Sequence, residues 1–239
     1  MDVIDLRSDL RMLRSAPGQA YLLRWGSRVL LVDTGRLGEG PAVAAALRDW
    51  GLDRDALTHV VLTHWHADHA DHAGSAAEIG AWPGVQVLAH RADAPVVRGE
   101  RPGAAPVLTG AEEPLLAQVS RDLPDAPPAR VDRELVDEEV LDEIGARVVA
   151  TPGHTDGSLA LHVVEAGVLF TGDIAAESRG QVILGPFNVD RARARESFRR
   201  LGEVPADAVC FGHGQPLVGS ATAALHAAAT APEVPDPLG

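Results

Sequence analysis

The stretch that most constrains this chain is THWHADHADHAGS, residues 63–75, which gathers four histidines and two aspartates into thirteen positions. It overlaps THVVLTH, residues 58–64, whose β-branched and aliphatic side chains predict a buried strand that delivers the histidines at its carboxyl end. Imidazoles and carboxylates this close together repel when charged and need partners when buried. A metal ion is the simplest partner they can share.

Elsewhere the chain alternates strand and helix signals. AYLLRW (20–25) and RVLLVDTG (28–35) are separated by Gly26-Ser27, which predicts a hairpin. PAVAAALRDWG (41–51) has Pro near its start and Gly at its end, the asymmetry of a helix. A helix is expected over Ala70–Ile79 and a strand over VQVLAH (85–90). Between Glu100 and Arg133 the segments RPGAAP and LPDAPPAR flank a helix predicted over Gly110–Ser120, giving a Pro-rich excursion without strand character. Strands resume at ARVVATPG (146–153), SLALHVV (158–164), GVLFTGD (167–173) and AVCFGHG (208–214), with helices at Arg191–Leu201 and Ser220–Thr230 and a frayed PEVPDPLG tail. The fold class is α/β, with two strand-rich halves forming sheets packed face to face and helices outside. At 239 residues the expectation is one domain, with the excursion at about 100–133 as lid or pocket wall.

Composition narrows the partners. A net charge of −13 and a pI near 5.1 oppose binding to a polyanion, so nucleic acid is not expected as substrate. Cys210 is the only cysteine, and the N-terminal MDVIDLRSDLRMLRS alternates charge with aliphatics where a leader would carry a basic and then an apolar region. No apolar run approaches the roughly 20 residues that cross a bilayer. A reduced, cytoplasmic protein without membrane partners is expected, and no oligomeric state follows.

Within the dense stretch, His64, His66, Asp68 and His69 fit the spacing H-x-H-x-D-H. Alternate residues share a face, so His64 and His66 reach one ion while Asp68 and His69 turn toward a second. Zinc favours such nitrogen and oxygen donors, and catalytic zinc keeps a position open. Three later strand ends add glycine-flanked donors: His154 in TPGHTDGS, Asp173 in FTGD and His213 in FGHG.

With VDTG, THWHADH, TPGHTDGS, FTGD and GHG in this order along nearly the whole chain, the sequence resembles the metallo-β-lactamase-fold hydrolases. The resemblance implies an αβ/βα four-layer sandwich of two mixed sheets flanked by helices. It implies that His64, His66 and His154 bind one metal, that Asp68, His69 and His213 bind a second, and that Asp173 bridges them. Asp33 of VDTG matches an aspartate that orients a ligand or its neighbours without touching metal. The chain departs from the family where Asp71 and His72 repeat Ala-Asp-His before AGS. Ending the motif at His72 would need a histidine where Ala67 stands, so the register stays at His64, His66, Asp68 and His69. Asp71 and His72 are expected to be a solvated or helix-capping pair.

The implied activity is that of a dinuclear zinc hydrolase, with two Zn2+ per chain, or iron or manganese in their place, and a metal-bridging hydroxide. Asp68 would orient the hydroxide and relay a proton. The substrate expected is a small ester, thioester or lactone. A β-lactamase is disfavoured by the missing export signal and by Asp173, where true β-lactamases carry Cys or Ser. Glyoxalase II is disfavoured because only Gly214–Gly239 follow His213, and the acidic charge opposes the nucleases. Arg98, Arg101 and Arg179 are candidate contacts for an anionic group. The alternatives are a mononuclear iron enzyme similar to persulfide dioxygenases and a metal-binding scaffold without turnover. His59, His90, His162 and His226 lack flanking motifs and are expected on strand or helix surfaces. Cys210 is expected in the core. Trp65 either lines the pocket or packs beneath it.

Overall fold

In the computed structural model the N-terminal stretch of charged and aliphatic residues forms a hairpin: β1 (Asp2–Asp5) pairs antiparallel with β2 (Leu10–Ser15). In β2 the adjacent Met12 and Leu13 are both buried, whereas β1 is exposed apart from a half-buried Ile4. The structure describes residues 1–15, 18–66, 74–119, 121, 126–219 and 221–232. They fall into two units, Met1–Gly103 with Leu123–Leu135 and Ala104–Asp122 with Val136–Gly239.

In the first unit β3 (Gly18–Trp25) and β4 (Arg28–Val32) form the hairpin expected at Gly26-Ser27, with Gly26 at φ 60°. Helix α1 (Gly40–Asp49) then carries the chain across to β5 (Leu57–Leu62), parallel to β4, as a parallel pair requires. Its Val43, Ala44, Ala46 and Leu47 join Leu31, Val60 and Ile79 in the core. Burying one such leucine contributes about 1.5–3 kcal/mol, so Leu47→Ala would cost roughly 2–5 kcal/mol. Helices α2 (Ala76–Gly80) and α3 (Ala94–Val97) flank β6 (Gln86–His90), and β7 (Arg133–Leu135) completes a seven-stranded sheet in sequence order. The sheet is antiparallel from β1 to β4 and parallel from β4 to β7.

In the second unit helix α4 (Glu112–Val119) comes from the Pro-rich excursion. A six-stranded sheet follows, built from β8 (Val140–Leu141), β9 (Ala146–Ala150), β10 (Leu159–Val163), β11 (Val168–Gly172), β14 (Ala208–Phe211) and β15 (Leu217–Val218). Only β11 and β14 run parallel. A separate hairpin of β12 (Ala175–Ser178) and β13 (Gln181–Leu184) turns through Arg179 and Gly180, both at positive φ. Helix α5 (Arg191–Gly202) starts where the Asp190 carboxylate accepts the Arg193 backbone N–H. With α6 (Ala221–Thr230) it buries Phe198, Leu201, Leu225 and Ala229.

Three expectations are corrected. Of the helix expected over 70–79, residues 70–73 lie outside the described residues, Gly74 and Ser75 form a turn, and the helix runs from Ala76, with Ser75 Oγ donating to the Arg36 carbonyl and accepting the Glu39 N–H in the loop before α1. The excursion is not wholly without strand, since Arg133 opens β7 beside β6. His59 and His162 are buried, not on strand surfaces, because both faces of β5 and β10 are covered. His226 is exposed and Cys210 is in the core, as expected. Among the described residues no helix is long and apolar enough to cross a membrane.

Candidate functional site

In the first unit the donors follow β5. Because β4 and β5 are parallel neighbours, with Val32 opposite Val61, the chain beyond each strand places Asp33 beside Thr63. Asp33 takes a left-handed conformation, φ 60°, that only Gly, Asn and Asp adopt at low cost. Its Oδ1 accepts the Thr63 N–H at 2.8 Å, and both carboxylate oxygens lie within 3.1 Å of Thr63 Oγ1. Thr63 Oγ1 also lies 3.0 Å from His64 Nδ1.

Hydrogen counting fixes the direction of this chain. The Thr63 hydroxyl has one hydrogen and gives it to Asp33, which in its carboxylate form can only accept. Its lone pair therefore accepts from His64 Nδ1–H, which leaves the lone pair of His64 on Nε2. That is the form of imidazole that binds zinc. His66 stands edge-on to His64, ring centroids 4.8 Å apart, and Trp65 packs edge-on to His66 at 4.7 Å. Asp33, His64 and His66 are each no more than 2% exposed. Asp68, His69, Asp71 and His72 lie outside the described residues.

In the second unit the histidine after β9 is held by backbone. Gly153 sits at φ 135°, and a Cβ there would come within 2.1 Å of Ala194 N in α5, so only glycine fits. The following loop wraps His154: Val189 N donates to the His154 carbonyl, and Asp190 N to that of Gly153. His154 Nδ1 lies 3.1 Å from the Pro186 carbonyl, which can only accept, so Nδ1 carries a hydrogen and Nε2 is the nitrogen that a neutral ring offers to a metal. Asp173 and His213 leave the parallel strands β11 and β14, whose ends are joined by Gly212 N to the Gly172 carbonyl. Asp173 Oδ2 is 3.0 Å from His213 Nε2 and 3.7 Å from His154 Nε2. The second unit thus brings three of the expected donors, His154, Asp173 and His213, around one carboxylate oxygen.

The donor chemistry fits a cation: imidazoles anchored through Nδ1 in both units, and a buried carboxylate among the donors of the second. Three residues escaped the sequence reading. Thr63, adjacent to His64, was legible as a hydroxyl flanking a donor. The Pro186 carbonyl had no side-chain signal. Glu112 in α4 accepts the Phe187 and Thr109 N–H groups and so grips the loop that holds His154. Of the arginines, Arg98 is engaged by Glu100 and Glu134, which push its pKa up. Arg101 donates to the Ala92 carbonyl, and Arg179 sits on the β12–β13 turn.

Residues 14–213 match the metallo-beta-lactamase superfamily, and the chain belongs to that family. It is 31% identical over 182 residues to the probable metallo-hydrolase YflN of Bacillus subtilis (strain 168), covering 68% of this chain and 66% of that protein. It is 32% identical over 177 residues to a hydroxyacylglutathione hydrolase of Cereibacter sphaeroides, covering 73% of this chain and 53% of that protein. The chain thus spans between about half and two thirds of these curated relatives, and the family includes hydrolases. The crystal structure of a metallo-beta-lactamase family protein of Thermus thermophilus superposes with a TM-score of 0.64 at 24% identity, covering 94% of this chain and 78% of that one. The fold class expected, two mixed sheets with helices, is the one present.

Proposed function

We propose that this chain is a dinuclear zinc hydrolase of small ester, thioester or lactone substrates, working as a single domain. His64, His66 and His154 would hold one ion, Asp68, His69 and His213 a second, and Asp173 both. The observation that carries this reading is the matched preparation of His64 and His154, each anchored through Nδ1 and each presenting Nε2 as a lone pair. Zinc held there would supply Lewis acidity, which would make water a nucleophile at neutral pH and polarise the scissile carbonyl. The protein's own contribution is orientation. Asp33 and Thr63 fix the His64 ring, Pro186 fixes that of His154, and Asp68 orients the attacking water and takes its proton. Acyl transfer of this kind needs no serine nucleophile. Similarity to a hydroxyacylglutathione hydrolase supports an acyl group as the portion attacked.

The test pairs metal analysis with turnover. Purified protein should carry about two zinc ions per chain and hydrolyse generic esters or thioesters, with activity abolished by a chelator and restored by zinc. Asp173→Ala should lose both ions, whereas His154→Ala should mainly empty the first site. One iron per chain with thiol-dependent oxygen uptake overturns the proposal, as does an Asp173→Ala protein that keeps two tightly bound ions.

A further inference from the structure

Behind Trp65 the first unit contains a cavity of about 220 Å³, lined mainly by Trp65, Val96, Val97, Ala126, Pro127 and Pro128. Its wall is built of fixed backbone. Ala129 N donates to the Val97 carbonyl, joining the Pro-rich segment to the end of α3. Gly99, at φ 70°, lies where a Cβ would meet Pro128 Cγ at 2.7 Å. Gly103 lies flat on the Trp65 indole, where a Cβ would come within 1.9 Å of Cζ2. Trp65 thus belongs to both neighbourhoods, since its ring also meets His66 at 4.7 Å. Arg101 is the charged residue of the lining, and its Nη2 is committed to the Ala92 carbonyl.

We propose that this cavity is the acyl-chain pocket, and that the substrate carries an uncharged apolar acyl group of roughly six to nine carbons. The size follows by comparison, since a dry cavity of roughly 150 Å³ accepts benzene and drug-sized ligands start near about 300 Å³. The class follows from the lining, which is mostly aliphatic, proline and indole surface, with the one guanidinium, that of Arg101, on an exposed residue and bonded through Nη2 to the Ala92 carbonyl. This inference rests on the hydrolytic reading for the word substrate, whereas the pocket itself does not.

The test uses the full chain, loaded with zinc, and aryl esters from acetate to decanoate. For the unaltered protein kcat/KM should rise by about fourfold per methylene until the pocket fills, then level off. Ala126→Leu, a substitution on a loop of the lining, should move that break to shorter chains by about three carbons. Separately, octanamide binding is followed by calorimetry with and without chelator. It should persist when metal is stripped and weaken at least tenfold in Ala126→Leu. If esters turn over but chain length has no effect, or if Ala126→Leu binds octanamide as well as the unaltered protein, the pocket is wrongly assigned. If octanamide binds and Ala126→Leu weakens it while no ester is hydrolysed, the pocket stands and the hydrolytic reading falls.

Discussion

The two units prepare a histidine for the same task by different means. In the first, His64 is set by a buried side-chain relay in which one carboxylate, Asp33, orders a hydroxyl that orders the ring. In the second, His154 is set by main chain: its Nδ1 meets a carbonyl, its own carbonyl is bonded by Val189 N, and the loop is secured at Asp190. A side-chain relay concentrates its function in two residues and is open to single substitutions. A backbone cradle spreads the same function over a loop, so few substitutions reach it, except where a glycine such as Gly153 makes room for a neighbour.

The largest expected effect breaks the relay. Asp33→Ala removes the acceptor of a buried N–H and a buried hydroxyl, about 1–3 kcal/mol for the stranded donor. It also leaves a non-glycine residue at φ 60° with no polar side chain to bond locally, roughly 1–2 kcal/mol more. A loss on the order of 2–5 kcal/mol should appear in urea unfolding. Asp33→Asn separates fold from function, because Asn tolerates the left-handed conformation and keeps an acceptor. Its stability should fall by less than about 2 kcal/mol, while zinc affinity falls by about 10–100-fold, the usual cost of losing an outer partner of a ligand. Equal zinc affinity for Asp33→Asn and the unaltered protein would remove the relay from the argument.

A smaller effect is expected in the second unit. Glu112 accepts the Phe187 N–H at 3.2 Å and the Thr109 N–H at 2.8 Å, and Phe187 itself sits at φ 63° next to Pro186. Glu112→Ala should cost about 1–2 kcal/mol in unfolding experiments, since buried donors lose their acceptor. Turnover should drop less than about tenfold, because the Val189 and Asp190 bonds still hold the loop around His154. A loss as large as that of Asp33→Ala would erase the contrast between the units.

This contrast also explains what was legible in the sequence. Strands β3, β4, β5, β6 and β9 to β11 announce themselves as apolar runs bounded by turns. The donors His154, Asp173 and His213 stand out because glycines flank them at strand ends. The β12–β13 hairpin was missed because its turn is Arg179-Gly180. A left-handed arginine at φ 53° gives no signal where Asn-Gly or Asp-Gly would. The resemblance implied an orienting role for Asp33, and its carboxylate bonds the Thr63 hydroxyl that lies against His64. The partner of His154 was not, because a carbonyl is common to every residue and only the fold decides which one arrives.

The smallest effect concerns a buried histidine that belongs to neither arrangement, and it sharpens the comparison by serving as its control. His162 lies within β10, directly opposite Arg147 of β9. Burial first, and then the Arg147 charge, push its pKa below the ordinary 6.5, against a weaker opposite pull from the Pro205 backbone. The neighbouring pocket also contains Glu138, Arg200 and Glu203, with Arg200 ion-paired to Asp137 and Glu138. Above 6.5 the imidazole is neutral in folded and unfolded chains alike and contributes no pH dependence. As pH falls below that value the unfolded chain takes up a proton first, so stability declines until the folded-state pKa is passed, where the difference stops growing. Replacing the imidazole with a side chain that does not titrate should remove this part of the decline. In urea unfolding at about pH 7.5 and about pH 5, His162→Gln should therefore lose less stability between the two conditions than the unaltered protein does. Zinc content, measured at the higher pH, should be unchanged, unlike that of Asp33→Asn. A variant whose stability falls as steeply with pH as the unaltered protein's would show that the imidazolium is tolerated where burial and Arg147 are argued to exclude it.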